Sequence, residues 1–295
     1  MTLNTSTTTV DEKLYSRQLY VMGHEAQRRM MASAALVIGA SGLGIEISKN
    51  CILAGINSLT LCDPTPANWF DLGGNFYLSA ATIGKPRAEV CKDSLAQLNP
   101  YVDVRHAAVL DLSMDSLSPL LNGMTVVVVT IPLPKATINA LNEKCRVVGA
   151  SFIYSLTMSV FGMAFCDFGD KFIVSDKDGE VAAMSQIESI LAENPAVVKV
   201  LEDQGRHGLE DGDKVQFARL QGAPGLESGK EYTIKVTGPY TFELPEVDLS
   251  NTAATGESQQ GYITQIKQPV VMSFEPYAKK VEDPGEFMLS DFAKF

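Results

Sequence analysis

Residues 35–64, ALVIGASGLGIEISKNCILAGINSLTLCDP, decide how the first half of this chain folds. The apolar run 35–38 reads as a strand and ends in a glycine-rich turn. Ile45, Ile47, Ile52 and Leu53 then fall largely on one side of a helix that stops near Gly55. Residues 59–62 make a second short apolar strand, with Asp63 at its end. Strand, glycine turn, helix, strand, acid is the βαβ unit of a dinucleotide-type fold.

Glycine suits such a turn because the backbone approaches a phosphate closely there. The helix N-terminus behind it favours anions through its free N–H groups and dipole. Gly39 and Gly44 take the outer positions of G-x-G-x-x-G, but Ser41 stands at the middle one with Gly42 beside it. A side chain at that position would crowd a pyrophosphate. Asp63 is placed to hydrogen-bond a ribose hydroxyl. The alternative, which the pattern alone leaves open, is that the glycines only let helix and strand pack.

Working outward, residues 102–105 and 125–130 read as further strands, the latter containing four valines suited to a sheet centre. Residues 85–98 and 135–146 have helical composition, as does 14–31 around Gly23. The alternation predicts an α/β domain, a doubly wound Rossmann-like parallel sheet, over residues 1–170. Residues 147–166 carry no charged side chain. Their glycine, serine and threonine content reads better as two buried strands and a turn than as a membrane span.

From about Lys171 the units shorten to alternating runs. Phe172 and Val174; Val215 and Phe217; Tyr232, Ile234 and Val236; Phe242 and Leu244; Ile263 and Ile266 mark expected inward faces. Asp178-Gly179 and Asp211-Gly212 are turn signals. A smaller β-rich, barrel-like insert is expected over 171–268, with a polar loop at 250–260 and a return to the main body at Gln268-Pro269.

The 35 acidic residues outnumber the 24 basic ones, a net charge of −11. Such a surface repels phosphate backbones and anionic lipid, which argues against nucleic acid or a membrane as partner. Cys51, Cys62, Cys91, Cys145 and Cys166 stand singly, neither a zinc site nor a disulfide framework, and suit a reducing compartment. Each reads as buried and inert. His207, near Glu202, Asp203 and Asp211, reads as part of a turn-rich acidic loop, a surface for a basic partner, rather than a metal or acid/base cluster.

YSRQLYVMGHEAQRRM, GASGLGIEISKNCILAGINSLTLCDP and DLGGNFYLSAATIGKPRAEVCKDSLAQLNPYV resemble the amino-terminal half of ubiquitin-activating enzymes. The likeness continues through FGMAFCDFGDKFIVSDKDGE, RHGLEDGDKVQF, VTGPYTFEL and the closing SDFAKF, in the family's order. The resemblance implies an inactive adenylation domain of ThiF type over 1–170 and the first catalytic-cysteine half-domain over 171–268. Residues 269–295 would begin a helical segment. It implies an enzyme that uses ATP and magnesium to adenylate the ubiquitin C-terminus. That enzyme passes ubiquitin to a cysteine thioester and then to a conjugating enzyme. The nucleophilic cysteine and the working site belong to parts this chain does not reach.

Active members of the wider superfamily carry an arginine in an N-L-x-R-Q-like segment, where this chain has Gly74. They carry a lysine where it has Arg87, and a metal-binding aspartate where TIPLPKATINALN offers no carboxylate before Glu143. Without metal and clamping charges, phosphoryl chemistry loses its main electrostatic support. The expectations are therefore no catalytic residue, no metal ligand and no tightly held cofactor in this chain. Gly39, Gly42, Gly44 and Asp63 would form a vestigial nucleotide loop. Arg17 matches a family arginine that reaches the ATP phosphates of the active half, in the manner of an arginine finger. Ubiquitin, the active half and conjugating enzymes are the expected partners, in cytoplasm and nucleus. A stand-alone regulatory pseudoenzyme and a nicotinamide oxidoreductase are the alternatives.

Overall fold

The computed structural model describes residues 11–222, 225–251 and 260–285. Residues 1–10, most of the expected polar loop (252–259) and the closing SDFAKF motif lie outside the described residues. The chain divides into two compact units, the second spanning Ile173–Met272 and the first comprising the residues before and after it.

The first unit contains α1 (Glu12–Met31), β1 (Ala34–Ile38), α2 (Gly42–Ala54), β2 (Ser58–Cys62), α3 (Arg87–Ala96) and β3 (Asp103–His106). After these come a short α4 (Met114–Leu117), β4 (Val126–Val129), α5 (Lys135–Val148), β5 (Ser151–Met158) and β6 (Phe161–Asp167). The strand order is β3-β2-β1-β4-β5-β6, with the first five parallel and β6 antiparallel. The order reverses between β1 and β4, and such a switch point opens a crevice at the strands' C-terminal ends.

Both faces of the sheet are covered, which is why its strands are continuous apolar runs rather than alternating ones. Ala35, Val37, Leu59 and Leu61 pack on one side with Ile45 and Ile52 of α2 and Leu95 of α3. Leu36, Ile38, Val127 and Val129 pack on the other with Ile138 and Leu141 of α5. Helix α1 is kinked at Gly23, where φ is +76°.

The two strands expected over 147–166 are present, but they are not both buried. β5 runs four residues past its last pairing with β4, Val129 with Tyr154, so its outer half has only β6 as neighbour. β6 is the sheet edge. Met158, Val160 and Phe161 at the hairpin tip are consequently 53%, 87% and 73% exposed. No described helix is long and apolar enough to cross a membrane.

Residues leaving for the insert and returning from it are clipped together by α5. Arg146 donates to Asp167 at 2.6 Å and to the Phe274 carbonyl at 3.2 Å, and also pairs with Asp170. Asn142 donates to Asp167 at 2.7 Å and accepts from the Tyr277 N–H. Tyr277 opens α6 (Tyr277–Glu282), the helix found within the expected terminal segment.

In the insert, β7 (Phe172–Val174) and β15 (Val270–Met272) form a two-stranded ribbon, so Phe172 and Val174 do not line the barrel as expected. Between them lie β8 (Met184–Leu191), β9 (Ala196–Val200), β10 (Lys214–Gln221), β11 (Glu231–Thr233), β12 (Lys235–Gly238), β13 (Thr241–Leu244) and β14 (Gln260–Ile266). Their order, β11-β10-β14-β8-β9-β13-β12, has as its two edges β11 and β12, which only Ile234 separates in the chain. A sheet whose edges are joined by one residue must curl nearly shut, giving the barrel-like form. Val215, Phe217, Tyr232, Ile234, Phe242, Leu244 and Ile263 are buried inside it. So are Ala196, Val198 and Val200 of β9, whose alternation the reading of the sequence passed over.

Candidate functional site

The crevice at the switch point is formed by residues 39–44, and its glycines are held by other parts of the chain. Gly39 has φ of +110°, and its N–H donates to the Cys62 carbonyl at 2.9 Å. A Cβ at Gly39 would lie 2.5 Å from Thr130 Oγ1, and one at Gly44 would lie 2.0 Å from the Gly39 carbonyl oxygen. A Cβ at Gly42 would meet the Gly74 carbonyl oxygen at 2.9 Å. Close packing therefore accounts for all three. Ser41 caps α2 in extended conformation without a side-chain capping bond.

Asp63 is buried, and four protein donors reach it. Oδ2 accepts from Ala40 N–H at 2.7 Å, Arg87 Nε at 3.0 Å and Arg87 Nη2 at 2.9 Å; Oδ1 accepts from Thr65 N–H at 3.0 Å. Three of these reach Oδ2 and one Oδ1, and at 1% exposure the carboxylate offers no open surface to a ribose hydroxyl. Arg87 turns its other arm to Asp71, with Nη1 to Oδ1 at 2.9 Å. One guanidinium thus bridges a buried carboxylate and a partly buried one, a use that its planar fork allows and a lysine ammonium does not. Asn75, also buried, donates to the Ala40 carbonyl at 3.0 Å and accepts from Tyr77 N–H at 3.1 Å.

The segment carrying Asp71, Gly74 and Asn75 is thereby folded down on the glycine turn. The Gly74 carbonyl, a partial negative charge, sits against the first turn of α2, where a phosphate would rest. The arrangement does not fit a bound nucleotide. Among the described residues no group of three or more His, Cys, Asp or Glu side chains is placed to hold a metal ion. Glu143 is exposed on α5, away from residues 130–134. Asp71 and Asn75 were not singled out as site residues in the sequence. The signal that would have found them is Arg87 itself, since a buried guanidinium needs carboxylates and Asp71 is the nearest acid after Asp63.

Arg17 lies elsewhere, on the outer face of α1. It is exposed and makes no hydrogen bond or ion pair with a described residue. Leu14, Tyr20 and Val21 around it are also exposed, at 53%, 93% and 80%. The inner face docks α1 through buried Tyr15, whose hydroxyl accepts from Asn99 Nδ2 at 3.0 Å, and through Gln27, which donates to the Ala54 carbonyl at 3.3 Å.

His207 corrects its sequence reading. It is 4% exposed, with Nδ1 accepting from Leu209 N–H at 2.9 Å and Nε2 2.9 Å from the Gly238 carbonyl, edge-on to Phe242. With a backbone N–H at one nitrogen and a carbonyl at the other, the ring is the neutral Nε2–H tautomer, a core residue of the barrel. All five cysteines are free. Burial pushes Cys62 and Cys145 up to about 12, consistent with inert thiols, whereas Cys166 is exposed, contrary to expectation.

A family model described as the ThiF family matches residues 15–169, and the chain belongs to that family. A second model, the ubiquitin-activating enzyme E1 FCCH domain, matches residues 193–267. This pair of domains, in this order, is that of the amino-terminal part of a ubiquitin-activating enzyme. Ubiquitin-like modifier-activating enzyme 1 of Oryctolagus cuniculus is 41% identical over 296 residues, covering 100% of this chain and 27% of its own length. Ubiquitin-activating enzyme E1 1 of Schizosaccharomyces pombe is 42% identical over 291 residues, covering 98% of this chain and 27% of its own length. The chain thus spans about a quarter of the length of these relatives. Among solved structures, Escherichia coli MccB with succinimide aligns at a TM-score of 0.44 and 21% identity over 54% of this chain and 46% of MccB.

Proposed function

We propose that this chain works within a longer polypeptide as the non-catalytic half of an ATP-dependent ubiquitin-activating enzyme. The observation that carries the reading is identity of about 40% along the whole chain, across both matched domains. In this reading ATP and magnesium are used in the other half, which adenylates the ubiquitin C-terminus before thioester transfer and handover to a conjugating enzyme. The first unit contributes architecture. Its glycine turn is closed by Asp63, Arg87 and the Gly74 carbonyl, which supports a vestigial rather than a working nucleotide loop. The barrel-like insert gives an acidic protein a further face for a basic partner such as ubiquitin. Cytoplasm and nucleus are the proposed locations.

Arg17 is the residue we assign to the reaction. Its exposure on α1, with no hydrogen-bond or ion-pair partner among the described residues, supports that assignment, since such a guanidinium is available to a partner's anionic site. The test is ubiquitin-dependent ATP–pyrophosphate exchange. The 295-residue chain alone is expected to show none, and clear exchange would refute the inactive-half reading. In the complete polypeptide, Arg17→Ala should lower the exchange rate about 100-fold or more, the scale for loss of a transition-state charge contact. An unchanged rate would remove Arg17 from the site.

A further inference from the structure

Helix α1 carries Arg17 on its outer face, and its two halves do not share one frame. Gly23 leaves helical geometry at φ +76° and ψ 170°, so the half before it takes its position from its own contacts. Tyr15 is the buried side chain of that half, at 3% exposure. Two residues apart, Tyr15 and Arg17 lie roughly 200° from each other around the helix. The tyrosine therefore faces in as the arginine faces out.

The seat of Tyr15 is built from two other parts of the chain. Gly55 ends α2 at φ +80°, and a Cβ there would lie 2.4 Å from the Tyr15 hydroxyl oxygen, so the ring rests directly on the glycine. Asn99, 5% exposed, donates through Nδ2 to the Tyr15 hydroxyl at 3.0 Å and to the Ile52 carbonyl at 3.0 Å. Its Oδ1 accepts from the Tyr101 N–H at 3.1 Å. The Tyr101 hydroxyl in turn donates at 3.2 Å to Asp11, whose side chain caps α1 by accepting from the Lys13 and Leu14 N–H groups. One amide thus ties together the last turn of α2, the buried tyrosine of α1 and the residue that reaches the helix cap. Gln18 adds only a long contact, 3.5 Å to the Leu53 carbonyl.

We infer that Asn99 and Tyr15 are positioning residues for Arg17: they fix the roll of the first half of α1 and so aim the guanidinium, without touching an anion themselves. The inference rests on the role proposed for Arg17 and adds the residues that set its direction. A roll of about 10° moves a side chain roughly 1 Å at the outer radius of a helix. A displacement of that size can cost a catalytic contact up to about 100-fold. With one buried side chain in this half, the Tyr15 seat is the contact able to prevent such a roll.

A double-mutant cycle with Arg17, read by ubiquitin-dependent pyrophosphate exchange in the complete polypeptide, tests the assignment. Asn99→Ala should lower kcat about tenfold, and Tyr15→Phe, which keeps the ring on Gly55, about threefold. KM for ubiquitin should stay within about twofold. In an Arg17→Ala background both substitutions should lose their effect, since no guanidinium is left to aim. A purely structural loss would lower the rate equally in both backgrounds. That additive result overturns the positioning role and leaves Arg17 in the reaction. Full exchange activity in Arg17→Ala alone overturns the positioning role and the reading of Arg17 together. Tyr15→Phe removes one hydroxyl and keeps the cycle decisive where Asn99→Ala yields no folded enzyme. Hydrogen–deuterium exchange of the 295-residue chain gives a readout apart from catalysis. In Asn99→Ala, amides of residues 13–22 should exchange about tenfold faster while those of residues 24–31 keep their rates. Unchanged exchange at residues 13–22 overturns the inference.

Discussion

The two units keep their interiors in opposite ways. The first buries a polar framework: Asp63 and Arg87 with Asn75 and Thr130 around the glycine turn, Asn99 under α1, and Asn142 with Asp167 at the clip. In the second, the buried polar side chains among the described residues are Ser185 and His207, set in a wall of valine, isoleucine, leucine and phenylalanine. The first unit retains the polar parts of a fold built to hold ligands and has turned them on its own backbone. The second is held by strand alternation, with one histidine bridging two backbone segments. A buried charge pair adds little net stability while intact but costs heavily when broken, whereas an apolar barrel loses stability in smaller steps.

That contrast can be broken most directly at Arg87. Arg87→Met leaves Asp63 buried without a countercharge and strips Asp71 of its partner, and should destabilise the first unit by about 3–5 kcal/mol. Urea unfolding read by hydrogen exchange should show the loss in β1, β2 and α3 peptides and none in β9 or β13. A loss under about 1 kcal/mol would mean the ion pair does not close the crevice. Next in size is Gly44→Ala, whose Cβ meets the Gly39 carbonyl; it should cost about 3 kcal/mol by overpacking. Nucleotide titration by calorimetry should show no gained affinity in either variant, because Gly74 still covers the turn.

His207→Ala examines the second unit. Losing two hydrogen bonds should cost about 2 kcal/mol. The effect should be confined to barrel peptides in the same exchange measurement. The smallest effect concerns Lys267, which holds Asp176 at 2.9 Å and also pairs with Asp178. This ammonium, followed by the Gly179 N–H, lowers the Asp176 carboxyl from 3.8 to about 2. A depressed carboxyl contributes stability that is present above pH 3.8 and is lost as pH falls towards 2. Carbon NMR titration of Lys267→Met should therefore find Asp176 titrating nearer its ordinary value. A titration still centred near 2 would assign the shift to the backbone N–H groups instead.

Much of the fold was legible because its signals are local. The run 35–38, the helix stop at Gly55 and the four valines of β4 each carry their own period or punctuation. The inward positions from Val215 to Ile263 alternate as strands do. β9 was missed although Ala196, Val198 and Val200 alternate, because apolar Val197 on the outward side and the short span weaken the pattern. Phe172 and Val174 misled because alternation shows which residues share a face, not which sheet receives it. His207 misled because its acidic neighbours are exposed while its ring turns inward.

By itself the sequence determined that the first half is a doubly wound sheet and the second a β-rich insert, since periodicity and glycine placement are properties of neighbouring residues. It also showed that charge is missing from residues 147–166. Only the tertiary structure decided what those features do. Whether Gly39, Gly42 and Gly44 admit a phosphate depends on Thr130 and Gly74, and whether Asp63 is free depends on Arg87. Whether an uncharged hairpin is core or surface depends on β6 lying at the sheet edge. Each is a contact between residues far apart in the chain, and pairing at that range depends on the whole fold rather than on any local pattern.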